Sequence, residues 1–537
     1  MTARGAPTAP GVLGPPPDVA ERPSPAVGAR LLAAVAVALL LGVLLTLRLG
    51  LIGGDAIGAA DNGDTVRLTC VAQLVPDTTD GTAPGHGVAI TEYRTGGPGC
   101  TRDAPTTSAG LVLQATVTIA TALDPTPVAP DGSTRFTLEW LAAAYVALLA
   151  VGAGAATFAA TAGRARWLVA SAVVGIPAAP LLLVPWWSRF LVSAFSEPAG
   201  LLGTVWAAWG LLALAVTRPA DRGARVIALA LVALGGVVAT TAKPGFLPVG
   251  AAVVVACLLV TVGTAPWRRR APGILAAGLV VAVSVLPVLS SLRAQDEAYA
   301  WVNAHNLAFT AVLPEAGPSA TGPLGLRPEA WGQSGQHFYL DGGRSVPDWQ
   351  ATVGDRPDEL RADAVRFVAE HPRVLARMVH RGLVATLRPQ IPYLASATGG
   401  ARTVDGVVAD VPPVPEGSQT MGPTFVYLDG LPGRWVPPTV VALALLAGAL
   451  TLLPAARRRL APTASGLARV SALLAVTGVG VVVVAVLGDG YCELAKHVWL
   501  GSYALVVSGG TLLAAAGGLV SARRVRRDAG PAPGGPA

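Results

Sequence analysis

Ser471-Ala472-Leu473-Leu474-Ala475-Val476-Thr477-Gly478-Val479-Gly480-Val481-Val482-Val483-Val484-Ala485-Val486-Leu487-Gly488 runs without one charged side chain, between Arg469 and Asp489. A helix needs about 20 consecutive apolar residues to cross the hydrocarbon core of a bilayer. This stretch, with its flank from Leu467, reads as such a span. Working outward, similar segments lie at about 30–52, 137–162, 167–187, 200–217, 225–242, 246–266, 273–292, 434–455 and 498–520, which makes ten. Composition agrees: 52% of the 537 residues are hydrophobic, 13% are charged, and the mean hydropathy is +0.56. Soluble domains carry about 25% charged residues. The expectation is an all-α polytopic membrane protein of about ten transmembrane helices.

Charge distribution sets the expected orientation. Basic clusters sit at Gly163-Arg164-Ala165-Arg166, between Arg218 and Arg225, at Arg268-Arg269-Arg270, at Arg457-Arg458-Arg459 and at Arg523-Arg524-Val525-Arg526-Arg527. With both termini cytoplasmic, every cluster falls inside, as the positive-inside rule requires. The net charge of +7 is therefore a topology signal, and nucleic acid is not an expected partner. The domain reading follows: a disordered tail at 1–28, a first, uncleaved helix at 29–52, an extracytoplasmic loop at 53–136, helices two to seven at 137–292, a large extracytoplasmic loop at 293–433, helices eight to ten at 434–520, and a basic cytoplasmic tail at 521–537.

The first loop contains an alternating stretch, Gly110-Leu111-Val112-Leu113-Gln114-Ala115-Thr116-Val117-Thr118-Ile119, which predicts a small strand-bearing unit. Cys70 and Cys100 share that loop, where a disulfide can form. Cys257 sits in an apolar run, and Cys492 has no evident partner. The second loop carries helical periodicity from Pro357 to Thr386, broken at His371-Pro372, which predicts two amphipathic helices near the membrane surface.

Ionisable residues gather where the spans end on the expected outer side. Asp61-Asn62-Gly63-Asp64…Arg67 follows the first span, offering carboxylates to deprotonate a hydroxyl and a guanidinium to hold a phosphate. A plain turn explains the same residues. Glu197, in Phe195-Ser196-Glu197-Pro198, opens a helix and suits either its N-terminus or a cavity. Lys243, in Ala242-Lys243-Pro244, can neutralise a lipid-linked phosphate or snorkel to headgroups. The last turn holds Asp489, Glu493, Lys496 and His497, with Glu493 and His497 spaced to share a helix face. Two such ligands do not specify a metal, so a divalent cation is left open. His305 and Asn306 carry ring and amide groups of the kind a sugar cleft uses.

These elements resemble the membrane-embedded GT-C superfamily of glycosyltransferases, nearest to the bacterial glycan hexosyltransferases of that class. The resemblance rests on Asn62-Gly63-Asp64…Arg67, Phe195-Ser196-Glu197, Ala242-Lys243-Pro244, His305-Asn306 to Pro314 with Leu324-Gly325-Leu326, and Asp489-Gly490…Glu493-Leu494-Ala495-Lys496-His497. It implies a polyprenyl-phosphate-linked sugar as donor, a glycan or other cell-envelope acceptor, and a carboxylate base acting with inversion. By that resemblance Asp64 is the first choice for base and Asp61 the second. Arg67 and Lys243 would face the phosphate, while Glu197, His305, Asn306, Asp489, Glu493, Lys496 and His497 would orient substrate. Two other readings stand beside it. An O-antigen-type polymerase or ligase would rely on Arg373, Arg377, His380 and Arg381, and a transporter or flippase would place its charges nearer the bilayer midplane.

Overall fold

The computed structural model describes residues 27–528, except 54–55, 60–62, 78–89, 102–103, 126–131, 163–166, 266–267, 341–342, 344–345, 388–390, 392–393, 395, 398–402, 405–406 and 409–432. The expected tail at 1–28 lies almost wholly outside the described residues, as do Asp61, Asn62 and the 163–166 cluster.

The chain is a bundle of apolar helices with a few short strands. The first helix, α1, is Val27–Arg48. Strand β1 (Gly58–Ala59) follows it and pairs across the chain with Ser396–Ala397. Strands β2 (Leu74–Pro76), β3 (Glu92–Thr95) and β4 (Arg135–Thr137) form an antiparallel sheet in that order. Cys70 and Cys100 are joined in a disulfide beside it. The alternating stretch at 110–119 is no strand, however. It lies in α2, Ser108–Leu123. Thr107 caps this helix by accepting from the Gly110 amide at 3.0 Å. Ala109, Leu113, Thr116 and Ala120 then bury one face at helical spacing. The β-branched residues that suggested a strand are tolerated because their neighbours pack on that face.

The remaining long helices are α3 (Leu138–Ala160), α4 (Trp167–Leu183), α5 (Glu197–Val216), α6 (Arg222–Ala242), α7 (Leu247–Leu259), α8 (Ala271–Asn306), α9 (Pro357–Glu370), α10 (Pro372–Ala385), α11 (Val436–Leu450), α12 (Pro462–Gly488) and α13 (Trp499–Asp528). Among the described residues eight helices are long and apolar enough to cross a membrane, and nine if α4 and the Pro185–Leu191 piece count as one bent span. The expected ten therefore shrinks at two places. At the first, Pro185 forces Val184 into an extended conformation (φ −121°, ψ 114°), and the chain turns by 87°. At the second, α7 stops after 13 residues, too short to span.

Helices α5 and α6 lie in close contact because Gly203 and Gly235 face one another's backbones. A Cβ at either position would collide with the opposite main chain. In the second long connection α9 and α10 appear as expected, divided at His371-Pro372. Helix α8 runs past its apolar end at residue 292 to Asn306 and continues into a π-helical turn at Leu307–Val312. Asn303, His305 and Asn306 thus sit on a helix end rather than in a loop.

Candidate functional site

The ends of α1, α5, α6, α8 and α12 meet at one end of the bundle, opposite the basic connections. Asp64 lies just after Gly63, whose φ of 90° turns the chain toward a short helix, Val66–Thr69. One Asp64 oxygen accepts from Arg67 Nη2 at 2.7 Å. The other pairs with Lys496 Nζ, contributed by the Leu494–His497 helix from 432 residues further along the chain. Lys496 also reaches Glu493 Oε2 at 3.3 Å, and its ammonium lies 5.5 Å from the Phe195 ring centroid. Two residues beyond Phe195, Glu197 opens α5 and pairs with Lys243, just past the end of α6, at 3.1 Å. The guanidinium of Arg67 covers the ring of Tyr299 on α8 at 4.5 Å.

Burial decides what these charges do. Lys496 and Glu197 expose 1% and 2% of their side chains, so each depends on its partners to stay charged. Asp64 sits deep among these groups yet keeps 27% of its side chain open. Burial opposes its charge, but Lys496, Arg67 and Lys243 outweigh that and hold the carboxyl well below the usual range. Burial likewise opposes charge on Lys496, and Asp64, Glu493 and Glu197 outweigh it, keeping the ammonium well above its ordinary value.

A second group adjoins the first through the 489–497 turn. Asn306 Nδ2 donates to Asp489 Oδ1 at 2.7 Å, and His497 Nε2 meets Asp489 Oδ2 at 3.2 Å. The Phe338 amide donates to Asn306 Oδ1 at 2.9 Å. His305 Nδ1 accepts from Trp349 Nε1 at 3.1 Å, which leaves Nε2 to carry the proton toward the Gln336 carbonyl at 3.3 Å. Its ring stacks on Phe309. Gly490, at φ 60°, lets the turn rest on the end of α8. A Cβ there would strike Asn306 O and Thr310 Oγ1.

Of the residues singled out in the sequence, Asp64, Arg67, Glu197, Lys243, Glu493 and Lys496 share one cluster. His305, Asn306, Asp489 and His497 form the adjoining one. Asp61 lies outside the described residues. Glu493 and His497 do not share a helix face. Glu493 takes a left-handed conformation (φ 48°) just before the helix, so it turns to Lys496 while His497 turns to Asp489. Sequence reasoning missed Tyr299 and Glu315. Glu315 follows Pro314 at the close of an apolar run, and that isolated acid was the signal available. Among the described residues no three His, Cys, Asp or Glu side chains converge as a metal site.

Neither a curated protein nor a solved structure matches the chain. A family model, described as the YfdI N-terminal transmembrane domain, matches residues 20–527 and so embraces every span and both charge clusters. The chain belongs to that family, and it is a multi-pass membrane protein.

Proposed function

We propose that this protein is a GT-C-type membrane glycosyltransferase that moves a hexose from a polyprenyl-phosphate donor to a glycan or other envelope acceptor. On this reading the Asp64 end of the bundle faces outward, because the arginine-rich connections occupy the opposite end. Such a site has no pool of nucleotide sugars, which is why a lipid carries the activated sugar. The observation that supports the reading most directly is Asp64, a part-open carboxylate set between the buried Lys496 and the half-exposed Arg67 where several spans end.

The step balances as follows. The acceptor oxygen attacks the anomeric carbon as Asp64 takes its proton, and the bond from that carbon to the phosphate oxygen breaks with its electron pair leaving on the phosphate. Attack opposite the leaving group inverts the centre. Lys496, Arg67 and Lys243 neutralise the departing phosphate. Paired with Lys496, Asp64 is a weak base. A donor phosphate that draws Lys496 and Arg67 to itself raises the basicity of Asp64 when substrate is present. Glu197 holds the Lys243 ammonium in place, and Asp489 with Asn306 and His497 fixes the wall beside it.

The test is transfer of radiolabelled sugar from a panel of polyprenyl-phosphate sugars, in membranes containing the unaltered chain, Asp64→Asn or Asp61→Asn. Transfer that collapses in Asp64→Asn alone, at equal protein level, supports this assignment. Transfer that persists in both variants removes the carboxylate mechanism and turns attention to the arginines of α10.

A further inference from the structure

Helix α10 has two unlike faces. Val374, Met378, Gly382 and Leu383 are buried, with Gly382 against Val482 and Val486 of α12. Arg373, Arg377 and Arg381 are exposed on the other side. Between α10 and the start of the α11 span lies a cavity of about 610 Å³, lined by Glu315, Arg377, His380, Arg381, Arg434 and Trp435. That volume falls within the range of small-molecule sites.

Its one acid is already engaged. The Glu315 carboxylate exposes 8% of its side chain and accepts from Tyr491 Oη at 2.9 Å, while Arg381 and Arg377 approach it at 3.0 and 3.4 Å. The guanidinium of Arg381 also lies 4.9 Å from the centroid of the Tyr491 ring. Among the described residues no carboxylate pairs with Arg434. Among the described lining residues three arginines therefore face one carboxylate, an excess of positive charge. Its location is equally specific. Trp435, 55% exposed beside His380, stands at the beginning of a span whose Leu443, Leu446 and Leu450 are also exposed. An amphipathic tryptophan at a span end marks the headgroup level of a bilayer.

We propose that this cavity is a second anion site, separate from the Asp64 cluster, and that it seats the phosphate of a membrane lipid headgroup. Planar guanidinium groups match phosphate oxygens in pairs. The Glu315 carboxylate holds two of them in place, leaving the outer arginine to close on the ligand. The apolar flank of α11 accepts the lipid chain alongside. The site does not depend on glycosyl transfer, so its test needs no turnover.

The full-length protein in detergent is titrated with a short polyprenyl diphosphate, phosphatidylglycerol, diacylglycerol and inorganic phosphate. Both lipid phosphates are expected to bind, more weakly as salt rises. Arg434→Gln and Arg377→Gln each weaken them about tenfold. Arg366→Gln, on the exposed face of α9, leaves binding unchanged. Stronger binding of the diphosphate identifies a carrier lipid, and stronger binding of phosphatidylglycerol identifies a bulk phospholipid. Either supports the site. Diacylglycerol binding as tightly as phosphatidylglycerol, or both arginine variants binding normally, overturns it. Inorganic phosphate binding as tightly as the lipids overturns the lipid assignment.

Discussion

Two charged regions at the same end of the bundle are built on opposite balances. Around Asp64, three acids (Asp64, Glu197, Glu493) meet three cations (Arg67, Lys243, Lys496), and nearly every charge has a close partner. Around Glu315, one acid meets three arginines among the described residues. A neutral, interlocked set costs little to keep charged while empty, and its members are released only when a ligand offers something better. An unbalanced set binds anions at rest. The first arrangement suits chemistry on a transient charge and the second suits holding a permanent one. The two also differ in origin. The balanced set draws on four separate segments of chain, whereas the cationic cavity is dominated by one helix face.

The comparison is broken most sharply at Asp64. With Asp64→Asn we expect sugar transfer to fall by about 10²–10⁴-fold, the range associated with loss of a general base, measured with the radiolabelled donors. Binding of lipid phosphate at the Arg434 cavity should be unchanged in the same variant, and a parallel loss there would show the two regions to be one site.

Lys496→Met should come next in size. It leaves Asp64 and Glu493 facing each other without their shared cation. We expect a loss of about 2–3 kcal/mol, below the usual figure for a broken buried pair because both acids are partly exposed. The unfolding midpoint in detergent reads it.

Acid gives a smaller and graded effect. The Asp64 carboxyl is held below its unfolded value, so its contribution to stability is complete above about pH 4 and drains away as pH falls further. Lys496 is held above its unfolded value, so its contribution persists to about pH 10 and fades beyond. A flat unfolding midpoint from pH 5 to 9 with an acid limb below is expected, and Asp64→Asn should shrink that limb.

Least in size is Glu315→Gln, which removes the negative charge but keeps an acceptor for Tyr491. Phosphate lipids should then bind about threefold more tightly, consistent with relief of one repulsion screened by the half-exposed arginines around it. Weaker binding would mean that Glu315 serves mainly to position Arg377 and Arg381.

Much of the architecture was legible because apolar runs and arginine clusters are local features of a chain. The spans at 471–488 and 137–162 needed only counting, and the split at His371-Pro372 followed from proline's missing amide hydrogen. Residues 110–119 misled because threonine, valine and isoleucine fit an alternating period and a helical one equally well, and the Thr107 cap decides between them. Helix α8 was cut short at 292 because hydrophobicity ends there while helical hydrogen bonding continues. Site membership was partly visible, since isolated charges at span ends are costly and stand out. Their pairing was not. Nothing in the sequence joins Asp64 to Lys496, Glu197 to Lys243 or Asn306 to Asp489, because each pair is made by packing between distant helices.

The length of α8 has a mechanical consequence. Its 36 residues rise about 1.5 Å each, roughly 54 Å in all, against a hydrocarbon core of about 30 Å. One continuous helix, interrupted in its hydrogen bonding only at Pro287, therefore runs from within the lipid to Asn306, where it holds the turn carrying Asp489 and Lys496. Tilting that helix in a thinner or thicker bilayer would move its far end, and the Asn306–Asp489 bond would carry the movement toward Asp64.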